Sequence, residues 1–291
     1  MVRKFSPADF VALTIVFVMT HGARAADLPA PSYTKAPAMS APVSNWTGFY
    51  VGANGGYGWK NTDVTETPGD PNTARVAFGF TNVLPATASF AKKGGLGGIQ
   101  LGDNWQFTDR LVAGVETDFD WSDVKGDGSA PTTIAFGATP ATFNASQKIE
   151  WFGTLRARLG YLPTDNLLLY ATGGLAYGRV DESANVVLPP GASNSTGNFG
   201  FGYACGTFYG NATCFTGAQS RTSAGWAVGG GAEYAFSRNV SLKFEYLYVN
   251  LGSGTFASPT VVVSALTPSF LNTSSGDAAF GLARIGLNYR F

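Results

Sequence analysis

A chain of 291 residues with 38 glycines, 14% aromatic and only 13% charged residues does not suit a helical soluble domain. Glycine is costly inside helices, while aromatic residues favour strands. The formal net charge is zero with no run of Lys or Arg, which points away from a nucleic-acid partner, and a mean hydropathy of +0.05 excludes several long helical spans but not a barrel with alternating faces.

The chain opens with a targeting pattern. Arg3 and Lys4 precede the apolar run Phe10 to Met19, and Ala23-Arg24-Ala25 reads as an A-x-A cleavage site, with Ala25 the last residue removed and Ala26 the first mature one. The run is too short to anchor in a bilayer. Residues 1–25 are therefore expected to be a cleaved signal peptide. Its removal takes three basic residues (Arg3, Lys4, Arg24), one acidic residue (Asp9) and His21, the sole histidine. Residues 26–45, rich in Pro, Ala and Ser, read as a flexible periplasmic lead-in.

From Trp46 to Phe291 the dominant signal is period-two alternation. It is clearest near 111–121, 148–161, 240–248 and 281–291, and weaker, with more glycine, near 46–60, 94–107, 167–180 and 222–236. Eight segments of this length suit tilted membrane strands. Their connections alternate between short turns (107–110, 162–166, 237–239) and long polar stretches (61–93, 122–147, 181–221, 251–278). The fold class expected is all-β: an eight-stranded antiparallel transmembrane barrel with short periplasmic turns and long extracellular loops, both ends periplasmic. In hydrocarbon every backbone N–H and C=O needs a partner, so the sheet must close on itself. A soluble lipocalin-like barrel or β-sandwich has the same alternation turned inside out. The signal pattern, the aromatics near strand ends (Trp46, Trp59, Trp105, Trp121, Tyr161, Tyr289) and the terminal Phe291 favour lipid.

Alternation assigns a set of charges to the lumen: Glu116, Asp118, Asp120, Lys148, Glu150, Arg156, Arg158, Lys243, Glu245, Arg284 and Arg290. Glu116 or Asp118 is expected to pair with Arg156 or Arg158 on the neighbouring strand. An eight-stranded barrel barely holds its own side chains, so a structural network that neutralises buried charge is favoured over a gate, and any pore is narrow. Glu116, Asp118 and Asp120 could suggest a carboxylate catalyst or metal site, but a spacing of two only places them on one face. Cys205 and Cys214, in an oxidising compartment, are expected to form a disulfide within the third outer loop. Asn211-Ala-Thr213 fits the glycosylation pattern only weakly. The glycines of 94–98 and 229–231 lack the Lys of a phosphate loop and read instead as close packing or strand bending.

Five segments carry a family resemblance: Ala26-Asp-Leu-Pro29, Trp46-Thr-Gly-Phe-Tyr-Val-Gly-Ala-Asn-Gly-Gly-Tyr-Gly-Trp59, Trp151-Phe-Gly-Thr-Leu-Arg-Ala-Arg-Leu-Gly-Tyr161, Leu168 to Gly178, and Ala283-Arg-Ile-Gly-Leu-Asn-Tyr-Arg-Phe291. In this order they resemble the porin-like outer-membrane β-barrel proteins of alphaproteobacteria, including small major surface antigens and hemin-binding relatives. The resemblance covers the chain from Ala26 onward, apart from the long loops. It implies an outer-membrane location, lipids as surroundings, and a C-terminal signal, Tyr289 and Phe291, for the barrel-assembly machinery. One departure is Asp103, where an aromatic is expected; it implies a place at the periplasmic rim or a slip in register.

The function expected is that of a structural surface barrel with at most a narrow porin-like pore. The alternative is a surface-loop binding protein, an adhesin or a hemin binder. Without His, axial iron ligation would fall to Tyr203, Tyr209, Cys or Met39. A lipid-modifying enzyme ranks last, because a Ser–His mechanism lacks its histidine. No cofactor or metal is expected.

Overall fold

The computed structural model describes residues 45–71, 73–74, 76–77, 80–81, 83–134, 139–195, 204–206, 212–261 and 269–291. The signal segment, with Ala25 and Ala26, and Met39, Tyr203, Tyr209 and Asn211 lie outside them. Among the described residues there is no helix. The strands are β1 (Gly48–Pro68), β2 (Val76–Ala77), β3 (Phe80–Thr81), β4 (Ala86–Gln106), β5 (Leu111–Ile134), β6 (Thr139–Thr164), β7 (Leu167–Val187), β8 (Ser193–Ser195), β9 (Ala204–Gly206), β10 (Thr213–Ala235), β11 (Val240–Asn250), β12 (Gly254–Pro259), β13 (Phe270–Ser275) and β14 (Ala279–Arg290).

Eight of them form an antiparallel ring in the order β1, β4, β5, β6, β7, β10, β11, β14, and β1 closes it by pairing with both β4 and β14. No sheet edge is left open in this ring, as hydrocarbon demands. The ends meet at the rim that carries the short turns, where the Phe291 N–H donates to the Phe49 carbonyl at 3.0 Å. In barrels of this kind that rim is periplasmic.

The strands run well past the ends that alternation suggests. β5 has 24 residues, about 80 Å along the strand at ~3.3 Å per residue, or roughly 60 Å of height at a tilt of ~40°. The apolar band of an outer-membrane barrel is only about 25 Å tall. Much of 61–93, 122–147 and 181–221, read above as loop, is therefore strand that continues upward as a crown. β11 and β14 stop at Asn250 and Ala279, and the hairpin β12–β13 takes their place. β13 pairs with upper β1 from Val64↔Ser275 to Pro68↔Leu271, β12 pairs with β13, and β10 meets the end of β12 at the Phe215↔Thr260 bridge. Gly252 sits at this step with φ +74°, a left-handed conformation that favours glycine.

The outside changes with height. Below, apolar residues face outward: Val115, Leu155, Leu159, Leu175, Phe244 and Leu287 are all exposed. Trp59, Trp121, Trp151 and Trp226 top this band. Above them the outer face is polar, with Ser146–Ser183 and Asn144–Asn185 side-chain pairs at 2.8 and 2.9 Å.

The inside is layered. Trp46, Val112, Leu162, Leu168, Tyr170 and Ala235 fill the periplasmic end. Charged residues come next, then an apolar layer around Phe152, Leu247 and Phe280. Lys92, Gln147 and Glu182 form a polar chain at the crown's base, with Gln147 donating to Glu182 at 2.6 Å. Phe143, Val186, Phe215, Phe256 and Leu271 belong to an apolar core in the crown itself.

Two expected lumen charges are not there. Lys148 and Glu150 lie on the outer face, with side chains 42% and 35% exposed. The cause is a register shift on β6 between Ile149 and Trp151. A bulge adds one residue and reverses the alternation, so Ile149 turns inward while Trp151 stays outward. Alternation extrapolated through that point puts Lys148 and Glu150 on the wrong side. Asp103 also faces outward, in register with Phe49 and Val115 and two residues from Trp105, on the periplasmic side of the band.

Candidate functional site: a charge lattice across the lumen

Residues two apart on a strand share a face, so β5 presents Glu116, Asp118 and Asp120 to the interior and β6 presents Arg156 and Arg158. The register sets Glu116 directly beside Arg156. β11 adds Lys243 and Glu245, and β14 adds Arg284. All are buried. Room for them comes from glycines on neighbouring strands. A Cβ at Gly98 would press into the Phe119 carbonyl and the Asp120 carboxylate, and one at Gly174 would meet the backbone beside Arg156.

Arg156 sits at the centre. Its guanidinium reaches Glu116 at 2.5 Å, Asp118 at 2.8 Å and Glu245 at 3.1 Å. Arg284 reaches Asp118 and Glu245 at 2.6 Å each and Asp120 at 3.0 Å. Lys243 reaches Glu116 at 2.9 Å. β5 and β11 are opposite in the ring, so this last contact crosses the full width of the lumen. Multiply shared, charge-assisted hydrogen bonds of this kind are what a buried ionic group requires to offset its desolvation.

The structure places nine of the eleven residues expected in the lumen there and brings eight of them together; Lys148 and Glu150 are the two on the outer face. Arg290 is among the nine by position but stands apart from the lattice at the periplasmic end. Its guanidinium stacks over Trp46 at 4.4 Å and donates to the Asn45 carbonyl at 2.9 Å.

Sequence reasoning missed Glu233, Tyr50 and Tyr170. Arg158 pairs with Glu233 at 2.8 Å and lies over the Tyr170 ring at 4.1 Å. The Tyr50 hydroxyl donates to Glu116 at 2.6 Å and accepts from Arg158 at 2.8 Å. A signal existed for Glu233, which shares alternation parity with Gly229 and Gly231. None existed for the tyrosines, since an aromatic on a barrel strand reads as lipid-facing.

The Cys205–Cys214 disulfide is formed, with S–S 1.97 Å. Both cysteines are buried within the crown's apolar core, so the bond ties the third outer connection down onto the barrel top. At the other rim Tyr289 and Phe291 point outward, their rings 5.3 Å apart.

Among the described residues two buried acids stand apart from the lattice, Glu182 in the polar chain at the crown's base and Glu66 above it. Glu66 lies seven residues beyond Trp59 on β1, in the crown and above the membrane-spanning part. It is buried, and burial pushes its carboxyl up from 4.5 to about 8. Among the described residues no group of three His, Cys, Asp or Glu is arranged to hold a metal.

Residues 33–291 match the family described as Outer membrane protein beta-barrel domain. The chain belongs to this outer-membrane β-barrel family. As an outer-membrane barrel it is 34% identical over 281 residues to the 31 kDa outer-membrane immunogenic protein of Brucella melitensis, covering 97% of this chain and 98% of the relative. It is 27% identical over 223 residues to the 22 kDa outer membrane protein of Rhizobium leguminosarum bv. viciae, covering 74% and 72%. Among solved structures it is similar to the outer membrane protein OprG of Pseudomonas aeruginosa, at 14% identity and TM-score 0.42 over 85% of this chain and 98% of that one. The barrel resides in the outer membrane, short-turn rim inward and crown outward.

Proposed function

We propose that this barrel is a non-conducting display scaffold, anchored by its closed lower tier and presenting the crown to the cell's surroundings. The observation that carries the reading is the contact between Lys243 and Glu116, which spans the lumen from β11 to β5 at 2.9 Å. Apolar layers above and below it support closure further. The Brucella relative is named for its immunogenicity, which fits a crown exposed outside the cell. Neither curated relative described above is named for a catalytic activity, and the lattice residues serve to neutralise one another, so the reading is also that the barrel is not an enzyme. Outward Tyr289 and Phe291 support their use as the strand signal for the assembly machinery. Of the side chains that a hemin-binding reading would use, Tyr203, Tyr209 and Met39 lie outside the described residues, and Cys205 and Cys214 are joined to each other.

Planar-bilayer recording on refolded protein tests closure. No unitary current steps are expected at moderate voltage. Reproducible steps that change size when Lys243→Met is introduced would overturn the display reading in favour of a pore through the lattice.

A further inference from the structure

Three lysines stand side by side on the outer face at the base of the crown. The register pairs Lys93 of β4 with Lys125 of β5, and Lys125 with Lys148 of β6. Adjacent strands lie about 5 Å apart, so three like charges fall within roughly 10 Å. Side by side on one face, like charges destabilise a sheet. Lys125 is relieved in part by Asp123 at 3.0 Å and Lys148 by Glu150 at 3.8 Å, both in exposed pairs. Lys93 has no ion-pair partner among the described residues. The lysines line one groove of about 530 Å³, together with Ala91, Ser146 and a single acid, Asp127. Three lysines thus face one acid in the lining, with Asp123 and Glu150 at its margin, and Glu150 is held more closely by Arg179, at 3.1 Å, than by Lys148.

The row lies at a telling height. Lys93 is in register with Trp59, and Lys125 and Lys148 come just past Trp121 and Trp151 along their strands. The lysines therefore sit where the aromatic girdle ends and lipid headgroups begin.

Below the row the outer surface is hollow. Gly95 and Gly97 of β4 point outward, next to outward Gly55 of β1. Their luminal neighbours Gly94 and Gly98 are crowded, but a Cβ at Gly95 would meet nothing within 4 Å. Luminal packing thus explains half of this glycine run and leaves the other half unexplained. Tyr57 stands beside Gly95 and Trp121 beside Gly97, so aromatic walls flank a smooth floor that leads down from Lys93 into the hydrocarbon.

We infer that this surface is a seat for a phosphorylated, acylated lipid of the outer leaflet, with phosphate on Lys93, Lys125 and Lys148 and an acyl chain in the glycine trough. Lysine suits the role as a point charge toward phosphate. The two halves, cationic above and apolar below, match an amphiphile and not a soluble anion.

The test reconstitutes the full barrel in phosphatidylcholine nanodiscs doped with bisphosphorylated lipid A and counts retained lipid A by native mass spectrometry after a detergent wash. Wild-type protein is expected to retain it and to retain dephosphorylated lipid A poorly. Combining Lys93→Gln, Lys125→Gln and Lys148→Gln should lower retention about tenfold, as three exposed ion pairs allow, whereas the same positions as Arg should keep it. Gly97→Leu should lower retention by filling the trough, and Arg238→Gln at the periplasmic rim should change nothing. A heat-shifted gel band certifies the fold of each variant. Equal retention by the triple Gln variant would overturn the proposal. So would equal retention of the dephosphorylated lipid by wild-type protein, a comparison that needs no variant. Displacement of the lipid by inorganic polyphosphate alone would overturn the acyl half, by assigning the groove to a soluble anion.

Discussion

The membrane tier and the crown are built from the same strands, yet their chemistry is inverted. Below the tryptophan girdle Leu155 and Val115 face outward and Arg156, Glu116 and Arg284 face inward. Above it Ser146 and Asn144 face outward, while Phe143 and Val186 face inward. The solvent outside decides which side of the ribbon takes the apolar residues. In hydrocarbon the outer face gains nothing from polarity, and the lumen can hold ions only by pairing them. In water the crown needs an apolar core of its own, like any soluble barrel. The bulge at Ile149/Trp151 exchanges the faces of β6, whereas on β5 the even-numbered residues face inward in both tiers, from Glu116 and Asp118 to Val124 and Ile134, and only their chemistry changes.

The largest effect that would break this comparison is expected from Arg284→Ala. It strands Asp120, whose one ion-pair partner among the described residues it is, and leaves Asp118 to Arg156 alone and Glu245 to Arg156 and Lys243; losing one partner of such a network costs about 3–5 kcal/mol. Urea unfolding of the folded barrel in lipid vesicles, followed by the heat-shifted band, should show the whole membrane tier weakened. An unchanged midpoint would mean that water already screens the lattice, and that the lumen is wetter than its burial implies.

A somewhat smaller effect separates the two exteriors. Leu155→Arg places a charge on the lipid face and should cost about 2–4 kcal/mol if that position lies near mid-depth. Ser183→Arg on the crown should stay within about 0.5 kcal/mol, as surface changes in water do. Equal costs would erase the distinction between the two tiers.

The alternation of apolar and polar residues made the membrane strands legible, and it also misled. Near 281–291 large apolar side chains alternate with Arg284, Asn288 and Arg290, so the two faces of the strand are plain. At 149–151 two apolar residues flank a glutamate, and nothing in Ile149 or Trp151 says which is lumen and which is lipid. The bulge that decides it is set by backbone pairing with β7, which one strand's sequence does not carry. The crown was illegible for another reason. In 141–146 the inward residues are Ala141, Phe143 and Ala145 and the outward ones Thr142, Asn144 and Ser146, a weak contrast that reads as polar loop. The lattice was half visible, because charge deep in the membrane-spanning part of a strand turns inward, but its reach from β5 to β11 depends on ring closure.

The disulfide tests the crown alone. Replacing Cys205 and Cys214 by Ala should cost about 2–3 kcal/mol, the chain-entropy value for a loop of some ten residues. The loss should appear as faster protease nicking of the crown, with the urea midpoint of the membrane tier unmoved. Loss from both tiers together would show that they unfold as one unit.

A change of pH, taken one unit at a time, again singles out the crown. Burial raises the Glu66 carboxyl from 4.5 to about 8, so the folded crown holds a proton that the opened crown releases. Between those values the open form binds fewer protons, and stability must fall as pH rises, by up to about 1.4 kcal/mol per pH unit. Below pH 4.5 both forms are protonated and the effect vanishes; above pH 8 both are ionised and the loss levels off. Glu66→Gln keeps a neutral group of the same size, so it should flatten the slope and leave the crown more protease-resistant at pH 7.5 than wild type, with little difference at pH 4.5. If instead wild-type and Gln crowns nick at equal rates across this window, Glu66 has a charged or hydrated neighbour and the crown's interior is not dry at that level. The membrane tier, measured by its gel band in the same samples, should stay constant in both proteins.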